Sequence, residues 1–276
     1  MAKLPYNRHY FNMHTTLIHG DCLVAMKDIP DKSIDMILCD LPYGVLHKNN
    51  QHAQWDRKIP FDKLWEQYNR IIKDNGAIVL FAQGMFTAEL MMSNPKMWRY
   101  NLVWDKCRVT GFLNANRMPM RCHEDICVFY KSLPTYNPQY TDGEPNHSRG
   151  NGVHKDTNRC YGKFKADYKD RTYESVPGVE STVSEGKKLP RSIITIKKEH
   201  ESTVFHPTQK SVDLLEYLIK TYSNEGETIL DNTMGSGSTG VGAKRLNRNF
   251  IGIELNEEYF KIAVKRIQQT TQQLLL

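Results

Sequence analysis

No stretch of this 276-residue chain approaches the run of about 18 apolar residues that a membrane-spanning helix needs. The opening segment, MAKLPYNRHYFNMH, has no apolar core of the kind that secretion signals carry. Cysteine is scarce: Cys22, Cys39, Cys107, Cys122, Cys127 and Cys160 are too few for a disulfide scaffold in a chain this long, and they read as the reduced thiols of a cytoplasmic protein. No Gly-Lys-Ser/Thr follows a glycine-rich turn, which excludes a P-loop, and no cysteine follows a proline. Cys122, His123 and Cys127 fall short of a zinc site, which usually takes four ligands in two close pairs, so no metal is expected. A strong charge bias is missing too. The 37 Lys and Arg against 31 Asp and Glu leave a net charge of +6, compatible with a polyanionic partner without specifying one. With 39% hydrophobic and 25% charged residues, the chain reads as a soluble α/β protein of one large domain, or one domain with an insertion.

What is present is an alternation of strands and helices. TTLIHGD (15–21) and SIDMILCD (33–40) read as strands, the second apolar enough to be buried on both faces. Phe61, Leu64, Trp65, Tyr68, Ile71 and Ile72 recur at helical spacing, with Asn75-Gly76 expected as the C-cap and AIVLF (77–81) as the next strand. A helix near 85–93 and strands near 99–104 and 123–130 follow. Periodicity then lapses from 132 to 202, where Tyr136, Tyr140, Tyr161, Phe164, Tyr168 and Tyr173 are interleaved with basic residues. So many aromatics argue against a plain disordered linker and for a binding insertion. After His206 the pattern resumes: a helix with Val212, Leu215, Leu218, Ile219 and Tyr222 on one face, a strand at 228–230, a turn, a helix, the strand FIGIE (250–254) and a final helix at 256–269. The expectation is one doubly wound, mostly parallel sheet interrupted once.

Gly235-Ser-Gly-Ser-Thr-Gly240 lies between a strand and a helix, the context in which G-x-G-x-x-G brings a ligand to a helix N-terminus. Asp231 ends the strand before it and Glu254 ends the strand after it, placed to accept hydrogen bonds from ribose hydroxyls. An adenosine-bearing cofactor fits, and the motif alone does not say which. At the other end of the chain, the strand ILCD runs into Asp40-Leu41-Pro42-Tyr43. Asp40 offers acceptor oxygens for an exocyclic amine, Tyr43 a flat ring on which a base can stack, and Pro42 a fixed backbone.

DLPY resembles the Asp/Asn/Ser-Pro-Pro-Tyr motif of amino-directed DNA methyltransferases, and HPTQKSVDLLEYLIKTYSNEGETILDNTMGSGSTGVGAKRLNRNFIGIELNEEYF resembles that family's cofactor-binding block. Catalytic motif first, variable region next and cofactor block last is the permuted order of the β class. The resemblance spans roughly 15–130 and 203–268 and implies a single methyltransferase domain over 1–276, with 132–202 as a target-recognition insertion. It implies S-adenosylmethionine as cofactor, held by Asp21, Cys22, Asp40, His206, Thr208, Lys210, Asp231, Asn232, Gly235, Ser236, Gly237, Ser238, Thr239, Glu254 and Leu255. Thr208 and Lys210 would lie near the methionine carboxylate. Asp40, Leu41, Pro42 and Tyr43 would hold a flipped base. Leu41 stands where the family usually has proline, but its carbonyl, which the family's mechanism uses, is retained.

The resemblance implies double-stranded DNA as partner, a possible homodimer, and a place in restriction–modification. Asp at the first position of the motif favours N6 of adenine over N4 of cytosine, and the missing Pro-Cys argues against cytosine C5. A scaffold that binds nucleic acid without turnover is the alternative from another class. His47, Arg108, Arg117, Lys163, Lys165 and Arg171 are the candidate DNA contacts.

Overall fold

The computed structural model describes residues 6–12, 14–46, 56–143, 187–199, 205 and 208–271. Its strands are β1 (Asn7–Asn12), β2 (Thr15–His19), β3 (Ile34–Cys39), β4 (Ile72–Ala82), β5 (Trp98–Thr110), β6 (Arg121–Phe129), β7 (Thr141–Asp142), β8 (Lys187–Lys188), β9 (Ile193–Thr195), β10 (Thr228–Asp231) and β11 (Asn249–Glu254). The helices are α1 (Cys22–Ala25), α2 (Phe61–Ile71), α3 (Met85–Ser93), α4 (Val212–Tyr222), α5 (Ser238–Arg245) and α6 (Glu257–Gln269). None of the described helices is long and apolar enough to cross a membrane. The chain divides into a larger unit, residues 1–137 with 192–276, and a smaller one, Pro138–Arg191. In the smaller unit the described residues form the antiparallel pair of β7 and β8.

The larger unit is built on a nine-stranded sheet in the order β1-β2-β11-β10-β3-β4-β6-β5-β9. The central β2, β11, β10, β3 and β4 are parallel, while β6 runs against both β4 and β5. The apolar runs dictate this centre. Along β3, Met36 and Leu38 face one core while Ile37 and Cys39 face the other, and β4 repeats the split with Val79 and Phe81 against Ile78 and Leu80. A strand buried on both faces needs helices on both, because side chains alternate with period two. On the first face lie Leu215, Leu218, Ile219 and Tyr222 of α4 with Phe260, Ala263 and Ile267 of α6. On the second lie Leu64, Trp65, Tyr68 and Ile71 of α2 with Phe86 and Leu90 of α3. The expected doubly wound fold is the one observed.

Several local expectations are corrected. Asn75-Gly76 does not cap α2, which ends at Ile71; the chain turns directly into β4 at Ile72. The register between β3 and β4 jumps from Ile34↔Ile72 to Met36↔Ala77, so residues 73–76 form an irregularity inside the strand. Gly76 is there for close approach: a Cβ would lie 2.8 Å from the Asp35 carbonyl oxygen and 2.7 Å from Ile72. The edge strand β1 carries little apolar signal, and β9 is a three-residue Ile-Ile-Thr run inside the segment expected to lack periodicity. The strand expected near 99–104 continues to Thr110. Cys122 is exposed and Cys127 buried, five residues apart on one strand and so on opposite faces of β6.

Gly76→Ala should therefore lower stability by about 1–3 kcal/mol through overpacking against backbone. Asn75→Ala, at an exposed position, should stay within about 0.5 kcal/mol. Urea midpoints of the two variants test this; equal midpoints would mean that the close approach carries no energetic weight.

Candidate active site

Parallel strands deliver their carboxyl ends to one edge of a sheet, and open α/β sheets bind ligands there. On this edge Asp21 follows β2, Asp40 follows β3, and Asp231 and Glu254 close β10 and β11. The antiparallel β6 brings its early residues to the same edge, with Asp125 opposite Ala82 and Glu124 opposite Trp104. The segments 15–40 and 208–254, remote in sequence, thus share one rim because β3 pairs with β10 and β2 with β11.

At the β3 end, Tyr43 donates its hydroxyl to Asp40 Oδ1 at 3.0 Å. Lys210 places its Nζ 2.5 Å from Asp40 Oδ2 and 3.3 Å from Glu124 Oε2, and Lys106 lies 3.2 Å from Glu124 Oε1. Tyr43, Asp40, Lys210, Glu124 and Lys106 form a chain in which cations and anions alternate. All four charged members are largely withdrawn from water, with side-chain exposures of 20%, 9%, 17% and 5% along the charged series. Such charges are tolerable only when paired. Burial raises the Asp40 carboxyl above its usual range, and Lys210 opposes that rise. For Glu124, burial alone would raise the value, but Lys210 and Lys106 together carry it below the usual range. Burial and the neighbouring Asp40 keep Tyr43 a phenol, pushed well above its ordinary value. The Tyr43 ring stacks on Phe86 at 4.6 Å. Beyond it, the amides of Gly44, Val45 and Leu46 all donate to the buried Asp56 carboxylate, at 2.8, 2.7 and 2.6 Å, which pins the turn after the motif.

At the glycine turn, Glu254 accepts from the Gly235 amide at 2.9 Å and the Asn256 amide at 2.7 Å. Each of its oxygens keeps lone-pair capacity beyond that one bond. Asp231 accepts from Thr239 Oγ1 at 2.6 Å and the Thr233 amide at 3.1 Å. Thr233 also donates its hydroxyl to the Asp40 carbonyl at 3.1 Å, joining the two halves of the rim. Burial pushes the Asp231 carboxyl up to about 7. Two of the three glycines serve packing: at Gly237 a Cβ would meet Ala263 of α6 at 2.8 Å, and at Gly240 it would meet Ile267 and Phe250 at 2.4 and 2.6 Å.

A family model described as DNA methylase matches residues 34–265. The chain belongs to the DNA methylase family. The type II methyltransferase M2.DpnII of Streptococcus pneumoniae is 29% identical, over 97% of this chain and 93% of its own. The DNA adenine methyltransferase YhdJ of Escherichia coli K12 is 27% identical, over 93% of this chain and 83% of its own. Two solved structures share the fold. The M1.HpyAVI–SAM complex has a TM-score of 0.59 and 23% identity, covering 92% of this chain and 98% of that one. The cytosine-N4-specific PvuII DNA methyltransferase has a TM-score of 0.65 and 15% identity, covering 96% and 90%.

In this DNA methylase the rim gathers Asp21, Asp40, Leu41, Pro42, Tyr43, Lys210, Asp231, Gly235 and Glu254. Asp21 caps α1, accepting from the Val24 amide at 3.1 Å, and burial pushes the adjacent Cys22 thiol up to about 11. Lys210, expected beside a methionine carboxylate, is paired with Asp40 and Glu124. Asn232 turns inward, its Oδ1 accepting from the Tyr68 hydroxyl at 2.5 Å and the Cys39 thiol at 2.9 Å. Ser236 and Ser238 are tied to Arg266 Nη1 at 3.0 and 3.1 Å, and Ser236 donates to Gln209 at 2.8 Å. Thr208 is half-buried and Leu255 exposed. Arg108 is exposed near the end of β5, and Arg117 is exposed on the segment joining β5 to β6. His47, His206, Lys163, Lys165 and Arg171 lie outside the described residues. Sequence reasoning missed Lys106, Glu124, Thr233, Asp56 and Arg266; a buried-strand pattern interrupted by Glu124-Asp125 was the one available signal for the first pair.

Because the folded state holds the Asp231 proton more tightly than the unfolded chain, this residue makes stability fall as pH rises from about 4 to about 7. Asp231→Asn should remove that slope. Relative to the parent, the variant should gain stability across this interval and show a constant difference above about pH 8. Urea denaturation at three pH values checks the sign.

Proposed function

We propose that this chain transfers a methyl group from S-adenosylmethionine to the exocyclic N6 of a flipped adenine in double-stranded DNA. The observation that carries the reading is Asp40, held at the end of β3 by Tyr43 and Lys210, on the rim that also bears Asp231, Glu254 and the glycine turn. Asp40 as the first residue of the motif favours adenine, as does the likeness to YhdJ, which carries adenine in its name. The donor set fits the cofactor. Glu254 retains acceptor capacity and would hold the ribose hydroxyls, Asp231 would lie near the methionine portion, and Asp21 and Cys22, at the neighbouring strand end, would lie near the adenine. When bound, the cofactor supplies an electrophilic methyl on a sulfonium.

The chain's own residues supply orientation. The adenine amine is a poor nucleophile because its lone pair is delocalised into the ring. Asp40 and the Leu41 carbonyl accept its two hydrogens and localise that lone pair toward the methyl. Forming the N–C bond would break the S–CH3 bond and release a neutral thioether; the amine would become cationic, and its proton would pass to the Asp40 carboxylate. Tyr43, backed by Phe86, stacks on the base with its free face. Lys210 is a positioning residue: it opposes the effect of burial on Asp40 and is itself held by Glu124. Segment 132–202 is the target-recognition insertion, with Lys163, Lys165 and Arg171 as its phosphate contacts. A homodimer belongs to the same reading and rests on the resemblance, while a cytoplasmic location rests on the reduced cysteines.

Incubating the protein with DNA and methyl-labelled S-adenosylmethionine, then analysing nucleosides by mass spectrometry, should yield N6-methyladenine. Asp40→Ala should lower its formation by about 100-fold or more. Labelled N4-methylcytosine would overturn the choice of base, and no label on DNA would overturn the reaction. Lys210→Met should raise the Asp40 carboxyl further, because the opposing cation is gone. The acid limb of the kcat profile should then move to higher pH, which a merely structural lysine would not produce.

A further inference from the structure

The end of β5 and the segment joining it to β6 have no part in the reading so far beyond Arg108 and Arg117. Its root is firm. Gln83 accepts from Arg121 Nη1 at 3.2 Å and donates to the His123 carbonyl at 2.9 Å, and Asp105 pairs with His123 across the ladder. The ladder then breaks at Cys107, whose φ is 53°, and resumes with Thr110 opposite Arg121. Gly111, at φ 91°, starts a single 3-10 turn over Phe112–Asn114. Every residue from Gly111 to His123 is exposed. Thr110 pairs only two residues further along β6 than Asp105 does, so the ladder carries β5 roughly 7 Å past Asp105, beyond the carboxyl edge of the sheet, before the tip begins. The arm therefore leaves the same rim that holds Asp40, one residue from Glu124, the partner of Lys210.

Its composition is unusual for a solvated tip. Phe112 is 80% exposed and Leu113 95%, and Val109, Met118 and Met120 are exposed beside them. Scattered single apolar residues are ordinary on a surface, but five on one hairpin mark a contact. Between Lys106 and His123 the sequence has Arg108, Arg117 and Arg121 and no carboxylate. An apolar tip flanked by cations without an anion is complementary to a duplex, whose exterior is phosphate and whose interior is stacked bases. It is a poor match for a second protein surface of mixed charge.

We propose that this arm is a DNA wedge: Phe112 and Leu113 enter the base stack beside the target nucleotide while Arg108 and Arg117 bind flanking phosphates. The proposal rests on the DNA methylation reading above. Delivering a base to Asp40 opens a gap in the duplex, and apolar side chains that fill the gap keep the base out. Gln83 fixes the root of the arm, at Arg121 and His123, to the end of β4 on the rim that bears Asp40.

The test uses the double variant Phe112→Ser/Leu113→Ser, both at exposed positions, with melting and sedimentation compared to the parent. Single-turnover methylation is measured on duplexes carrying the site mapped from methylated plasmid DNA. One duplex has an intact A·T pair at the target and the other has the adenine opposite an abasic position. The wedge predicts a rate on the paired duplex lower by about tenfold or more, restored to near the parent rate on the abasic duplex. It also predicts loss of the fluorescence rise of 2-aminopurine placed at the target. Equal slowing on both duplexes, or no slowing on either, overturns it. A changed sedimentation coefficient would overturn it in favour of a contact between copies of the chain. If the parent methylates neither duplex, the methylation reading itself has failed and the wedge falls with it.

Discussion

The contact between Lys210 and Asp40 joins residues 170 positions apart and sets the character of the whole site. A carboxylate at the end of a buried strand cannot stay charged in isolation, and an ammonium cannot enter the same space without an anion. Each makes the other possible, and Glu124 and Lys106 extend the same logic from β6 and β5. The arrangement depends on β3 lying beside β10 and β4, so that strand ends from both halves of the chain meet. Sheet order and site electrostatics are one constraint seen at two scales.

The second half of the rim follows a different logic. Glu254 and Asp231 are held by backbone amides and hydroxyls rather than by cations. Their environment leaves them short of positive charge, in keeping with a site that receives a cationic ligand. The Thr233 hydroxyl on the Asp40 carbonyl is the stitch between the two regimes.

The likeness to the cytosine-N4-specific enzyme of the same fold is instructive about what a fold decides. At 15% identity the likeness extends to the fold alone, and a shared strand order leaves the choice of base open.

The sequence by itself determined the element pattern, because strands buried on both faces need unbroken apolar runs and their covering helices need an apolar stripe. It also determined the two motif blocks, since Asp40 to Tyr43 and Gly235 to Glu254 are local signals that lie contiguously in the chain. It misplaced Gly76, because a glycine required by close approach to the Asp35 carbonyl looks the same in sequence as one required for a helix cap. It could not place Lys210 on Asp40 or find Glu124, Lys106 and Asp56, since their partners come from other strands and loops. Nor could it distinguish Gly237 and Gly240, which pack helix α5 against α6 and β11, from Gly235, whose amide meets Glu254. Tertiary structure decided every contact that crosses from one strand end to another, because only the lateral order of the sheet brings those ends within reach of a hydrogen bond.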